Sequence, residues 1–356
     1  MDIFSLLNLA KDKAASDLHL VAHSLPMLRV NGSLEPIADM AVLTPDDISQ
    51  AFTQITTPEE RESFHRHLEL DFGYTLVDNS RVRCNAARQR GAISLAIRLL
   101  SSNIPTIDEL GLPKVCKELI LRPRGLVVIS GPTGSGKSTT LAAMIQYLNN
   151  TEARHVVTIE DPIEYVHPSI KCAITQRELG SDTVSFAEAL RHVLRQDPDV
   201  IMVGEMRDTE TAAAVLTVAE TGHLVLTTGH APSATQVMER IIDLFPPHER
   251  HLAQTQLAAL LIGALSQTLV PKADGSGRTA AVEVMLANSA VRNLIRDGKI
   301  YQLPNVIRTN AKDGMMLLDQ SLVKLYRQKI INREHMLAFS NNPDEVDKLV
   351  SELGLG

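Results

Sequence analysis

The residues Gly131-Pro-Thr-Gly-Ser-Gly-Lys137-Ser138 fit the pattern GxxxxGK[ST], and each residue type in it suits contact with a phosphate chain. Glycines at 131, 134 and 136 let backbone amides face an anion with no Cβ in the way. Lys137 brings a point charge to the β and γ phosphates of a nucleotide, and the Ser138 hydroxyl is a ligand for Mg²⁺. The segment Gly131, Pro132, Thr133, Gly134, Ser135, Gly136, Lys137, Ser138 and Thr139 is therefore the predicted phosphate cradle. The helix expected from Ser138 to about Tyr147 aims its N-terminal partial charge at the same anion. The competing reading is a chance glycine-rich turn. The apolar run Leu126 to Ile129 before it and the helix-forming run after it argue against chance.

Attack of water on a γ phosphate needs a group that orients the water and a carboxylate that holds hydrated Mg²⁺. Val156-Val-Thr-Ile-Glu160-Asp161-Pro-Ile-Glu164 ends an apolar run in three carboxylates, and Val200-Ile-Met-Val-Gly-Glu205 ends another in one. Glu164 is the candidate for the first role and Glu205 for the second, acting on the metal through water. A solvated loop carboxylate and a strand-end cap are the plain alternatives. His223 and His230 flank a third run and are candidates to sense the γ phosphate or to link sheet to nucleotide, although a lone histidine is more often structural. Arg81, Arg83 and Arg98 lie in the N-terminal part, where they could reach the nucleotide of a neighbouring subunit; spacing alone does not choose among them.

These residues need a scaffold. From residue 125 onward, short apolar runs alternate with helix-like segments: Gly125 to Ser130, His155 to Glu160, Val200 to Glu205 and His223 to Thr228. Such runs read as strands buried on both faces in a parallel sheet covered by helices. Ser185-Phe-Ala-Glu188 predicts a capping box, Asp208 a helix start and Gly222 a helix end. A hairpin turning at Asp274-Gly-Ser-Gly277 and a run of helices follow. Residues 1–100, with one short helix and strand-like runs at Leu25 to Val30 and Arg81 to Asn85, predict a small α+β domain. Residues 101–113, with two prolines and a glycine, read as a linker, leaving 114–356 as the second domain.

The chain has 356 residues, 44% apolar and 22% charged, enough for two ordinary cores. Its net charge of −7, 3% aromatics and absence of Trp do not favour a nucleic-acid binder, which needs positive surface and stacking rings. Cys84, Cys116 and Cys172 form no CxxC pair, so neither a zinc site nor a disulfide framework is readable. The longest apolar run, Leu257 to Leu265, falls well short of the roughly 20 residues that span a bilayer. A cytoplasmic protein with no direct membrane insertion is expected.

The strings Ser16-Asp-Leu-His-Leu20, Glu109-Leu-Gly-Leu-Pro113, GPTGSGKSTTLAAM from Gly131, Thr158-Ile-Glu-Asp-Pro-Ile-Glu-Tyr165, Gly204-Glu-Met-Arg-Asp208, Glu220-Thr-Gly-His223 and Arg240-Ile-Ile-Asp-Leu-Phe-Pro246 resemble, in this order, the secretion and pilus ATPase superfamily. The chain is most similar there to the type IV pilus retraction ATPases, the PilT family. The resemblance implies an α/β chain in which a PAS-like α+β domain precedes a RecA-like P-loop domain with a helical C-terminal part. It places Lys137 in the Walker A box, and Glu160, Asp161 and Glu164 in the Asp box, with Glu164 as catalytic glutamate. Glu205 becomes the Walker B glutamate, His230 the His box, and Arg83 and Arg98 the arginines acting in trans. It further implies ATP and Mg²⁺ as ligands, a homohexamer, and a place at the inner face of the inner membrane. The implied partners are an inner-membrane pilus platform protein and a paralogous retraction ATPase.

Two features sort the relatives. Extension and secretion members usually carry a tetracysteine zinc element, which a chain with no CxxC cannot build, and Ala290-Val-Arg-Asn-Leu-Ile295 resembles the retraction signature, with a plain amphipathic helix as the alternative. The chain departs from the family where Thr228-Gly-His230-Ala231 replaces Thr-Leu-His-Thr, and where Cys84 replaces an aliphatic residue. The expected function is ATP-powered pilus retraction. The alternatives are pilus extension or secretion, and a nucleotide-sensing scaffold with little turnover.

Overall fold

The computed structural model describes residues 1–30, 32–78, 80–100 and 103–352; Ser101 and Ser102, the first two residues of the expected linker, and residues 353–356 lie outside these. The chain divides by packing into two compact units, Met1–Asn103 with Pro162–Val166, and Ile104–Asp161 with His167–Gly356.

The first unit contains α1 (Ile3–Asp12), β1 (Asp17–Leu20), β2 (Met27–Val30), β3 (Ser33–Pro36), α2 (Pro45–Gln54), α3 (Pro58–His67), β4 (Glu69–Thr75), β5 (Arg81–Gln89) and β6 (Ala92–Leu99). Its six strands pair antiparallel in the order β3-β2-β1-β6-β5-β4. One face is apolar and the other polar, as alternation dictates: Val82, Cys84 and Ala86 are buried on β5 while Arg83 and Asn85 are exposed. Two helices beyond the one expected from the sequence have explicit starts. Thr44 and Asp47 form a capping box around Pro45, and Thr57 and Glu60 form another around Pro58. Phe52 and Phe64 of these helices meet with ring centroids 4.9 Å apart, and Phe72 of β4 stands edge-on to Phe52.

The second unit runs α4 (Val115–Ile120), β7 (Gly125–Ser130), α5 (Lys137–Thr151), β8 (His155–Glu160), β9 (Ala173–Glu178), α6 (Phe186–Val193), β10 (Val200–Val203), α7 (Thr209–Glu220), β11 (Leu224–Gly229), α8 (Ala234–Asp243), α9 (Arg250–Leu260), β12 (Leu261–Pro271), β13 (Arg278–Leu286), α10 (Ser289–Arg296), α11 (Leu303–Thr309), α12 (Leu318–Arg327), α13 (Arg333–Phe339) and α14 (Pro343–Glu352). The sheet order is β13-β12-β7-β11-β10-β8-β9. All pairs are parallel except the β12–β13 hairpin. The apolar runs are buried on both faces because alternate residues serve opposite layers. Val128, Ile159, Ile201 and Val225 pack into one core, and Val127, Val156, Met202 and Leu226 into the other. Residues 104–113 belong to this unit, where Ile107 and Leu112 are buried against Leu119 and Ile129.

Several local readings change. Helix α5 extends to Thr151, and β10 stops at Val203, so Glu205 stands beyond the strand. Ser185 accepts from the Glu188 N–H at 3.1 Å, but Glu188 turns to Arg191 and His192 and does not return the bond. The run Leu257 to Leu265 breaks at Leu260–Leu261 between α9 and β12. Among the described residues no helix is long and apolar enough to cross a membrane. The three cysteines are buried and free, and burial pushes the Cys84 and Cys116 thiols up to about 12.

Candidate nucleotide site

The loop between β7 and α5 turns sharply at Gly131, whose φ is +142°. A Cβ there would lie 2.3 Å from the Gln267 carbonyl oxygen and 2.6 Å from Ser135 Oγ. The position thus admits glycine on two counts, conformation and space. Helix α5 begins at Lys137 after Gly136, which has no side chain to cap it, so the donors of its first turn are offered to whatever lies in the loop. Lys137 is 9% exposed, and its Nζ donates to the carbonyls of Gly131 and Pro132, each at 3.0 Å. Ser130 Oγ and Ser135 Oγ are buried without a hydrogen-bond partner among the described residues. Buried hydroxyls left so are costly and suit an acceptor-rich ligand.

Gln267 on β12 gave no signal in the sequence, yet it ties the loop in place. Its Nε2 donates to the Ser135 carbonyl at 2.6 Å, and its Oε1 accepts from Thr140 Oγ1 at 2.9 Å. Beside the loop opens a cavity of about 770 Å³, lined by Gly136, Thr139, Leu112, Leu269, Arg278 and Lys329 among others. Its size falls in the range of small-ligand pockets. Its walls come from sequence positions over 200 residues apart, so no local pattern could announce it.

The neighbouring strand ends bring further polar groups. Strand β11 lies beside β7 and β10 beside β11, all parallel, so their carboxyl ends share the cradle's edge, as ligand sites in open α/β sheets do. Glu205, just past β10 and 8% exposed, contacts Arg207 at 2.5 Å and His230 Nε2 at 3.2 Å. Thr228 Oγ1 donates to the Gly204 carbonyl, joining the two strand ends. Two strand spacings, about 10 Å, separate Glu205's strand from β7. His230 is one of the histidines read from the sequence; the other, His223, is not at this edge. It precedes β11, where its carbonyl accepts from the Gly125 N–H at the start of β7. The parallel direction of β7 and β11 puts it at the opposite end of the sheet, so the expected γ-phosphate role for His223 is withdrawn.

The three carboxylates at and after the end of β8 differ in their settings. Glu160 is buried and accepts from Thr158 Oγ1 at 2.7 Å and Gln176 Nε2 at 3.1 Å. Asp161 is exposed, and Glu164 belongs to the segment Pro162–Val166 that packs with the first unit. That unit also carries the arginines. Register places Arg29, Asp17, Arg98 and Arg83 in one row across β2, β1, β6 and β5. Like charges set opposite each other, as Arg83 and Arg98 are, repel. Asp17 offsets this by accepting from Arg98 Nε at 3.0 Å. Burial pulls Asp17 upward, but the Ser16 hydroxyl and the Arg98 guanidinium outweigh it, and its carboxyl stays below the ordinary range. No group of three or more His, Cys, Asp or Glu side chains among the described residues could hold a metal by itself. A hydrated ion sharing its sphere with phosphate oxygens needs only one or two protein ligands, which Ser138 and Glu205 can supply.

Residues 10–334 match the family model described as "Type II/IV secretion system protein". The chain is 45% identical over 335 residues to the type IV pilus retraction ATPase PilT of Pseudomonas aeruginosa, covering 94% of this chain and 97% of that one. It is 40% identical over 354 residues to the type IV pilus ATPase PilU of the same organism, covering 99% and 92%. The solved structure of a pilus retraction motor PilT with bound ADP superposes with a TM-score of 0.91 at 41% identity, over 98% of this chain and 99% of that one.

Proposed function

The chain belongs to the family of type II/IV secretion system proteins, on its pilus-retraction branch, and from that membership we infer that it is an ATPase motor whose hydrolysis of ATP draws type IV pili back and so drives twitching motility. The observation that carries this reading is the glycine-dependent loop ahead of α5, with Lys137 held inside it and a carboxylate–histidine pair at the neighbouring strand ends.

The roles we assign rest on the family membership together with that arrangement. The first unit is read as a PAS-like domain and the second as a RecA-like P-loop domain with a helical C-terminal part. Residues Gly131 to Thr139 form the Walker A loop, which takes the phosphates on backbone amides and on Lys137. The base and ribose are assigned to the cavity beside Gly136. Ser138, and Glu205 through water, are the groups that would hold Mg²⁺, which when bound neutralises charge on the β and γ phosphates. Glu164 orients the attacking water, and His230 reports the state of the γ phosphate through Glu205. Arg83 and Arg98 are assigned to the γ phosphate of a neighbouring subunit in a homohexamer. The ring would work at the inner face of the inner membrane, on a pilus platform protein, with a paralogous retraction ATPase as a further partner.

Glu164→Gln keeps size and hydrogen-bonding capacity but removes the charge. Nucleotide affinity should persist while steady-state phosphate release falls by at least about a hundredfold. Wild-type turnover in that variant would remove Glu164 from the mechanism. In cells, deletion of the gene should leave surface pili in place and abolish twitching. Loss of the pili themselves would instead assign the motor to extension.

A further inference from the structure

Glu283 sits on β13, yet it is 4% exposed, and a carboxylate so placed needs donors for its oxygens. Burial raises its pKa, and two backbone N–H groups pull against that. One oxygen accepts from Ala234 N, the first residue of α8, at 2.8 Å; the other accepts from Leu318 N, the first residue of α12, at 3.4 Å. The carboxylate therefore stands between the positive ends of two helices. Helix α8 has a cap of its own, since Ser233 Oγ accepts from Gln236 N at 3.1 Å. Helix α12 follows Leu317, whose side chain has no acceptor to offer, so Glu283 takes the place of a side-chain cap.

Helix α8 is the element that directly follows His230. Arg240 of α8 donates back to the His230 carbonyl at 3.1 Å. At Gly229 a Cβ would lie 2.5 Å from Val237 Cγ2 of α8. Register joins Glu283 to the same place: Glu283 pairs with Ser266, Ser266 with Ser130, and Ser130 with Gly229. One transverse row of the sheet thus runs from the carboxylate holding α8 to the residue before the histidine.

We propose that Glu283 is a positioning residue for the hydrolytic site: by holding the first turn of α8 at a set height over the sheet, and α12 with it, it keeps His230 in contact with Glu205. The proposal rests on the assignment of His230 given above. Glu283→Gln leaves one of the two N–H groups facing an amide NH₂ and removes the charge between the helix ends, so α8 is released to shift. In the full-length protein, carbethoxylation of His230 by diethylpyrocarbonate, followed by mass on its peptide, should then run severalfold faster, with His155 and His223 unchanged as internal standards. The same variant should lose about tenfold in kcat with KM within about twofold of wild type. Combined with His230→Ala it should be no slower than His230→Ala alone. Should Glu283→Gln fail to fold, Glu283→Asp, which draws the carboxylate back by one methylene, carries the same readouts. An unchanged His230 rate in the variant that folds, or additive losses in the double variant, overturns the proposal. Normal turnover in His230→Ala, with the His230 rate still altered by Glu283→Gln, instead removes the assignment of His230 to hydrolysis and with it the catalytic half of the proposal.

Discussion

Lys137 and His167 show two ways of burying a basic side chain. Lys137 donates its Nζ to two carbonyls of its own loop, and its motif announced it in the sequence. His167 had no such signature. It is 8% exposed, its Nδ1 has no partner among the described residues, and burial lowers its pKa to about 4. Since the unfolded value lies near 6.5, the unfolded chain takes up a proton first as pH falls. The stability tied to a neutral His167 is therefore fully present above about pH 6.5 and drains away toward pH 4, by up to about 1.4 kcal/mol per unit. Urea midpoints compared at pH 7.5 and 5.0 should fall further in wild type than in His167→Gln; an equal fall in both would show that the histidine is not the titrating group.

At the scale of elements, local patterns were read well wherever one residue type carries one meaning. The bounds Gly125–Ser130 and His155–Glu160 were legible because a strand covered on both faces must be apolar throughout. Asp208 and Ser185 were legible as caps because their oxygens answer the orphan N–H groups of a helix start. The starts of α2 and α3 carry equally clear Thr-Pro signals. The cradle itself depends on Gly131, and its environment sets a prediction. Gly131→Ala adds a Cβ against the backbone of Gln267, which cannot swing away, in a conformation that costs about 1–3 kcal/mol for a residue with a side chain. The melting temperature should drop by several degrees and nucleotide binding should be lost, as followed by a fluorescent ATP analogue. Binding at wild-type affinity would mean that the loop has another shape.

For the molecule as a whole, the division of roles between units defines a test. The cradle, Glu205 and His230 lie in the second unit, and Arg83, Arg98 and Glu164 in the first. If the arginines act across a ring, Lys137→Ala and Arg98→Ala chains, each inactive alone, should recover about a quarter of wild-type turnover when mixed in equal amounts, because a random neighbour supplies each half with probability about one half. Recovery should appear only at concentrations where mass measurement shows the assembly, and no recovery at any concentration would place the arginine in cis. The sequence alone determined the glycine-rich loop between β7 and α5, the strands that flank it and the acidic residues that follow them, since each is written in a short window whose spacing has a direct reading. Only the tertiary structure decided that Gln267 fastens the loop, that Glu283 holds two helices, that Glu160 is locked by Thr158 and Gln176, and that His223 lies at the far end of the sheet. Those facts depend on which strands become neighbours and in which direction they run, a choice made by burying two apolar layers at once and invisible in any one segment.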